Sequence, residues 1–356
     1  MNATLPTNHL TTTRRKSWRS LLAFVLLFFG IQLGFGLLLD YGPPRFRDPE
    51  YGRRLANLRC RVAENPGRPL VLVIGSSRTA MGVRPGILED GSDRPMVFNF
   101  ALAGSGPIME LMAFRRALAD GIKPAAVVVE YWPAFMREDG LYHEEARLDI
   151  ARLRLVDRAL IREFFRDVPH AETAMRTHRT NPWYHHRRSI FNQLSPRWLP
   201  NNSRSEAMFE RIDDWGWLPG RESLPASDFP AALQASASYY LPLFAQYEIS
   251  PDGDRALRQL VAECRAVNIP AALAYLPESA EFRKLMPPHA AQLGEDYLRN
   301  VRKELNVPLI DGRGWVGDDQ LPDGFHLMQP GATVFTRKFA TAIEATFPNL
   351  MGGNSP

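Results

Sequence analysis

The amino-acid sequence predicts an α/β fold, a three-layer α/β/α sandwich around a mainly parallel sheet. A transmembrane helix precedes this sandwich and a mostly helical insertion interrupts it. Three observations lead there. Short apolar runs alternate with segments of helical periodicity, the pattern of strands joined by crossover helices. One apolar stretch of membrane-crossing length lies near the N-terminus. Between residues 134 and 250 the strand signals fade. With 356 residues, 45% hydrophobic and 23% charged, the composition is that of an ordinary globular protein with a sizeable core.

The apolar stretch is Leu21–Leu39, LLAFVLLFFGIQLGFGLLL, whose one polar side chain is Gln32. As an α-helix, 19 residues rise about 28 Å, close to the thickness of a bilayer's hydrocarbon core. Trp18 sits at one end, where an indole favours the interface, and Asp40 follows the other. Arg14, Arg15, Lys16 and Arg19 flank the N-terminal side. The positive-inside bias therefore puts residues 1–20 in the cytoplasm and the rest of the chain outside it, in the periplasm or another extracytoplasmic space. The competing reading is a cleaved signal peptide. That would have a shorter apolar region and a small-x-small cleavage site, and LLLDYGPP offers none. An uncleaved anchor over 21–39 is the expectation.

Residues 41–68 are polar and proline-containing and read as a linker. The domain is expected over 69–346, with 347–356 as a tail. Pro69–Gly75 (PLVLVIG) is a continuous apolar run that suits a strand buried on both faces. Met96–Phe100, Ala125–Val129, Pro270–Leu276 and Val307–Ile310 are four further strand candidates. Ile108–Asp120, Asp254–Val267 and Gly331–Ala345 carry helical patterns, the last with Pro330 near its first turn. Residues 134–250 hold helical stretches such as Glu144–Phe165 and then Trp- and Pro-rich segments. This insertion is expected to cap the carboxyl edge of the sheet, where open α/β folds bind ligands.

Charge and cysteine content exclude several function classes. The formal charge is +4, but four basic residues belong to the membrane flank. The remaining 39 basic side chains match the 39 acidic ones, so the body is neutral and nucleic acid is not an expected partner. Cys60 and Cys264 form no CxxC pair, which argues against a thiolate zinc site. Whether they are bridged is left open by sequence. His185-His186 lacks a third ligand nearby and reads as an exposed basic-aromatic surface after Trp183-Tyr184. No metal or other cofactor is expected. Trp215 and Trp217 flank Gly216 and read either as a sugar-stacking platform or as packing aromatics.

Two short motifs carry chemistry. Gly75-Ser76-Ser77-Arg78-Thr79 directly follows the first strand, so Ser77 is held at the carboxyl edge of the sheet. Far downstream, Asp323-Gly324-Phe325-His326 precedes the last helix. A carboxylate bonded to one imidazole nitrogen fixes the tautomer that a general base needs, and three-residue spacing on a turn makes that pair locally. Arg78, next to the serine, could meet an anionic substrate group or pair with a carboxylate.

Taken together, nucleophile after the first strand and acid and base before the last helix, the chain resembles the SGNH (GDSL-like) hydrolases. GSSR is similar to the family's first block, GDS, with Ser77 at the nucleophile position. DGFHLMQPGA resembles the last block, DxxHLxxxG, matching Asp323, His326 and Gly331. Asn99-Phe100-Ala101-Leu102-Ala103-Gly104 resembles the second block, NxGxxG, with Ala101 in place of a glycine. The resemblance implies a flavodoxin-like sandwich, a Ser77–His326–Asp323 triad, and oxyanion donors at the Ser77 and Gly104 N–H groups. It implies substrate contacts near Asn99. The third block, GxND, is missing: the third strand runs into Glu130-Tyr131-Trp132-Pro133, and Tyr131 is the candidate to replace the absent Asn. A lost oxyanion donor costs about 10²–10³ in rate where one was used.

A membrane anchor, GSSR and a late DGxH also resemble the membrane-linked branch of the family, the O-acylation factors of envelope polysaccharides. That likeness implies an acyl-ester or polysaccharide substrate and a multipass acyltransferase as a partner. The competing class is a non-catalytic polysaccharide-binding or assembly module on the same fold. The enzyme reading requires Ser77 Oγ and a His326 nitrogen near hydrogen-bond reach. Side chains turned apart beyond about 6 Å would favour the module.

Overall fold

The structure is a computed structural model and describes residues 9–88, 94–137, 144, 148–201 and 204–351. Five parallel strands form its centre: β1 (Leu70–Ile74), β2 (Met96–Asn99), β3 (Ala126–Glu130), β4 (Ala271–Tyr275) and β5 (Leu309–Asp311). Their order is β2-β1-β3-β4-β5. All five strands fall where the apolar runs predicted them. β1, β2 and β3 are buried along their whole length, as continuous apolar runs require.

Side chains alternate between two cores, as the period of a strand demands. Leu70, Leu72 and Ile74 of β1 face one helical layer, and Val71 and Val73 face the other. The first layer contains α2 (Pro49–Glu64), α4 (Pro107–Ala119), α9 (Pro251–Ala266) and α11 (Pro288–Glu304). The second is led by α12 (Gln329–Thr346), which packs on the short helix α3 (Ser77–Gly82). The chain thus folds as the expected three-layer sandwich. Going outward from the centre, the sheet runs β3-β4-β5 on one side and β1-β2 on the other. The connections reverse direction between β1 and β3, which leaves a crevice at their carboxyl ends.

Two expectations about organisation change. Residues 41–68 are not a free linker, because they contain α2, which buries Tyr51, Leu55 and Leu58 in the first core. The amphipathic spacing 51, 55, 58 is the signal that the prolines obscured. Asp48 caps α2 by accepting the Tyr51 N–H at 3.2 Å. Its other oxygen takes the Arg116 guanidinium of α4 at 2.9 Å, and Arg116 also holds Asp157 at 2.6 Å. Glu144–Phe165 is likewise not one helix. Its described part contains two single turns, Ile150–Arg152 and Leu155–Asp157, then α5 (Arg158–Phe164). Asp149 and Asp157 bond backbone N–H groups of Ala151 and Arg154, local bonds that compete with helix propagation.

The insertion continues with α6 (Val168–Thr180), α7 (Pro182–Leu194) and α8 (Phe229–Phe244). Here α6 and α7 pack against the long N-terminal helix α1 (His9–Tyr41). Within α1, Ser17–Tyr41 is long and apolar enough to cross a membrane. Asp40 at its end pairs with Arg47 at 2.7 Å and with Arg179 of α6 at 3.1 Å. Cys60 is exposed on α2 and Cys264 is buried in α9, both as free thiols.

Arg116→Ala would strand Asp48 and Asp157 as buried, uncompensated charges. The variant is expected to lose about 3–5 kcal/mol in chemical denaturation. A loss below about 1 kcal/mol, the value of an exposed pair, would contradict this placement of the 41–68 segment.

Candidate active site

The turn after β1 presents Ser77 at the crevice. Ser76 caps α3 by accepting the Arg78 N–H at 3.2 Å, which leaves Ser77 as the first helical residue. N–H groups in a helix's first turn lack intrahelical acceptors, so the Ser77 N–H belongs to that set. Ser77 itself is half-buried.

Asp323 and His326 come from the loop between β5 and α12. Asp323 Oδ1 accepts the N–H groups of Phe325 (3.2 Å) and His326 (2.9 Å), which folds the tetrapeptide on itself. That fold brings the His326 ring back to the carboxylate, and Nδ1–H donates to Asp323 Oδ2 at 2.8 Å. Nε2 then carries the lone pair, and the Ser77 hydroxyl donates to it at 2.8 Å. The tightness of the turn needs glycine at 324, where φ is +97° and an added Cβ would lie 2.6 Å from Phe282 Cβ. Phe325 anchors the loop in an aromatic cluster with Trp132, Tyr240 and Phe282, the last on the short helix α10 (Ala280–Arg283). Burial alone would raise the Asp323 carboxyl. The bond and charge contact with His326, plus the two N–H donors, hold it below the ordinary carboxylate range.

The three side chains thus form one hydrogen-bonded line at the carboxyl edge of the sheet. An open cleft of about 700 Å³ adjoins it. Asp323 and His326 form one wall with Met81 and Gln329, and Arg211, Arg221 and Glu222 of the insertion form the other. The described part of the insertion therefore borders the site, as a cap at that edge would.

Three side chains expected near substrate are committed elsewhere. Arg78 is fully buried: it donates to the carbonyls of Leu276 (2.8 Å) and Pro277 (3.0 Å) and lies over the Trp132 ring. Asn99 is also fully buried, and its amide holds the carbonyls of Thr79, Ala80 and Val83 at the end of α3. Tyr131 donates its hydroxyl to the Gly294 carbonyl at 2.8 Å, beneath the surface among Tyr275 and Tyr297. None of the three offers a donor to a ligand; each is a tie within the fold. Gly104 sits at φ +81° in the turn after β2, which runs beside the Ser77 turn through the Leu102 N–H to the Gly75 carbonyl at 2.9 Å. Trp217 is buried with its indole on the Met81 carbonyl, and Trp215 is half-buried under Arg61, so both are packing residues. His186 is buried, and among the described residues no three ligating side chains gather as a metal site would need.

The residue that sequence reasoning passed over is Glu130, the last residue of β3. Its Oε2 accepts the Ser76 N–H (2.7 Å), the Ser76 hydroxyl (2.9 Å) and the Thr79 hydroxyl (2.7 Å). Arg78 lies 3.4 Å from its Oε1. Residue 75 must be glycine for this approach, since a Cβ there would stand 2.6 Å from Glu130 Oε2. A carboxylate closing the otherwise apolar run AVVVE was the available signal. Beside it, Glu110 is fully buried, and burial with the nearby Glu130 and Glu144 charges raises its carboxyl well above the ordinary range.

No family model and no curated protein matches this sequence. Among solved structures the chain is similar to the lipase/acylhydrolase from Enterococcus faecalis. The identity is 11%, over 78% of this chain and 96% of that one, with a TM-score of 0.35. It is also similar to a provisionally named acylhydrolase from Bacteroides fragilis. There the identity is 14%, over 82% and 97%, with a TM-score of 0.37. Likeness at that level carries no argument about chemistry, which rests on the geometry above.

Glu130→Gln keeps an acceptor for the Ser76 and Thr79 donors but removes the charge that faces Arg78. On the reading proposed below, turnover of p-nitrophenyl acetate is expected to fall about 10²-fold in kcat with KM unchanged, the size of effect a small misplacement of a reacting group produces. An unchanged kcat would contradict the positioning role.

Proposed function

We propose that this chain is a membrane-anchored serine esterase or O-acyltransferase that works through an acyl-enzyme on Ser77. The observation that carries the reading is the Ser77–His326–Asp323 line, with 2.8 Å between Ser77 Oγ and His326 Nε2. A binding module has no need of a serine bonded to an imidazole whose other nitrogen is bonded to a carboxylate.

In the proposed reaction the Ser77 oxygen attacks the ester carbonyl while His326 Nε2 takes its proton. Asp323 holds the ring and stabilises the imidazolium that forms. In this reading the Ser77 N–H donates to the oxyanion, and the Gly104 N–H is the second donor that the resemblance implies. When the tetrahedral intermediate collapses, the carbon–oxygen bond to the leaving alcohol breaks and His326 returns the proton to that alcohol. Water, or a hydroxyl of an acceptor, then attacks the acyl-enzyme with His326 again as base.

Hydrolysis and transfer differ only in which hydroxyl arrives second. The wall formed by Arg211, Arg221 and Glu222 is exposed, so water reaches the cleft. The chain alone is therefore expected to hydrolyse small acyl esters. Transfer requires an acceptor that fills the cleft and displaces water. The polar part of the lining, Arg211, Arg221, Glu222 and Gln329, suits a polymer rich in hydroxyls, and an envelope polysaccharide is the proposed acceptor class. The basic residues Arg14, Arg15, Lys16 and Arg19 in the first part of α1, ahead of the apolar run, support a domain outside the cytoplasm, where such a polymer and a multipass acyltransferase partner would meet it.

The full-length protein in detergent is expected to react with a serine-directed fluorophosphonate. Ser77→Ala and His326→Ala should abolish labelling, and Asp323→Asn should lower esterase kcat by about 10³–10⁴-fold, as loss of the correct tautomer does. Labelling that persists in Ser77→Ala, or a folded wild type that never labels, would contradict the reading.

A further inference from the structure

The outer end of α1 is not a bare tether. Residues 17–31 are exposed all round, whereas Gln32, Gly36 and Leu39 are buried and Phe35 is half-buried. The spacing 32, 35, 36, 39 is a single helical face. What covers it is the junction of α6 and α7. Gly36 faces the Arg179 carbonyl and Pro182, the Phe35 and Trp183 rings lie 6.1 Å apart, and Gln32 Oε1 accepts the Trp183 N–H at 3.4 Å. The lone polar side chain of the apolar run thus meets the free N–H groups at the start of α7.

This contact fixes a depth. Gln32 lies seven residues before Leu39, where the apolar run ends, which is about 10 Å along a helix. A segment that packs beside Gln32 therefore descends about 10 Å below the end of the apolar run, the depth at which interfacial helices rest. The surface around that segment suits the position. Trp183, Tyr184, Leu194 and Trp198 expose 45%, 55%, 67% and 68% of their surface. Successive ring contacts join Phe35 to Trp183, Trp183 to Phe191 and Phe191 to Trp198, with neighbouring centroids 5.8–6.1 Å apart. Between Val168 and Arg204 the sequence holds six arginines and a single carboxylate, Glu172. Two of the arginines, Arg188 and Arg197, are exposed beside these aromatics. Aromatic side chains with one wet edge, set among arginines, are what the boundary of an anionic bilayer takes up.

We infer that the α6–α7 hairpin and the turn at Pro196–Trp198 form a second membrane contact, seated in the outer interface of the same bilayer that α1 crosses. The inference rests on the reading of α1 as a transmembrane anchor and goes beyond it. The domain is then held to the membrane at two places, and its orientation is fixed instead of swinging on a tether. The hairpin belongs to the same insertion that borders the cleft, so the membrane contact and the site share one structural unit.

The test is site-directed spin labelling of the full-length chain in nanodiscs of phosphatidylcholine and phosphatidylglycerol. A Cys60→Ser background leaves only the fully buried Cys264 thiol. Single labels go in through Leu194→Cys, Trp198→Cys, Phe28→Cys in bare α1, and Arg337→Cys on the exposed side of α12. We expect the labels at 28, 194 and 198 to collide preferentially with oxygen, and the label at 337 with the water-soluble nickel chelate. A label at 28 that favours oxygen while those at 194 and 198 favour the chelate would overturn the second contact and leave the anchor standing. That outcome would assign the aromatic patch to a protein partner. A label at 28 that favours the chelate would overturn the anchor itself, and the second contact with it.

Discussion

A buried carboxylate at the end of β3 holds the serine-bearing turn in place. Glu130 accepts three hydrogen bonds from Ser76 and Thr79, the residues on either side of the Ser77–Arg78 pair. Bonds to a charged acceptor contribute about 1.5–3 kcal/mol each, so three of them on one carboxylate resist displacement of the turn. It also decides what its neighbours can be. Gly75 must lack a side chain, Arg78 must turn inward to balance the charge, and Trp132 must lie over Arg78. The indole of Trp132 and the guanidinium of Arg78 both approach Glu278 after β4. From there the Ser279 N–H reaches the Gly324 carbonyl inside the Asp323–His326 turn. A continuous set of polar contacts thus links the Ser77 turn to the Asp323–His326 turn. The pieces of the site come from opposite ends of the chain and are brought to register by β1, β3 and β4, which lie side by side.

On the proposed reading, the same logic accounts for a third strand that no Asn follows. In this chain the position that follows the third strand carries no ligand donor. Glu130, the last residue of β3, supplies the support for the Ser77 turn instead. In the proposed reaction, oxyanion stabilisation falls to backbone N–H groups, whose direction is set by how firmly the turn is held. Rigidity of the Ser76–Thr79 segment takes over part of what a side-chain donor would contribute.

Much of this was legible in the sequence, and the rest failed for identifiable reasons. The five strands were readable because β1, β2 and β3 are buried on both faces and read as unbroken apolar runs. Ser77, Asp323 and His326 were readable because each lies on a short local motif whose geometry follows from spacing. Arg78, Asn99 and Tyr131 were misplaced because a motif position does not say which way a side chain turns. All three point into the protein, where each donates to backbone carbonyls. Helix α2 was missed because Pro43, Pro44 and Pro49 suggest a linker, although Pro49 is an ordinary first residue of a helix. Glu130 was missed because a single charged residue at a strand's end is unremarkable until its three donors are seen. The contact between Gln32 and α7 could not be read at all, since it joins residues 151 positions apart with no motif at either end.

The central claim is that Ser77 becomes covalently acylated. The most direct test is to mix the full-length protein with an activated acyl ester, quench with acid, and map the modified peptide by mass spectrometry. The account predicts an acyl group on the peptide that carries Ser77, lost on longer incubation at neutral pH and absent from His326→Ala. An acyl group confined to other residues, or ester turnover with Ser77 never modified, would contradict it.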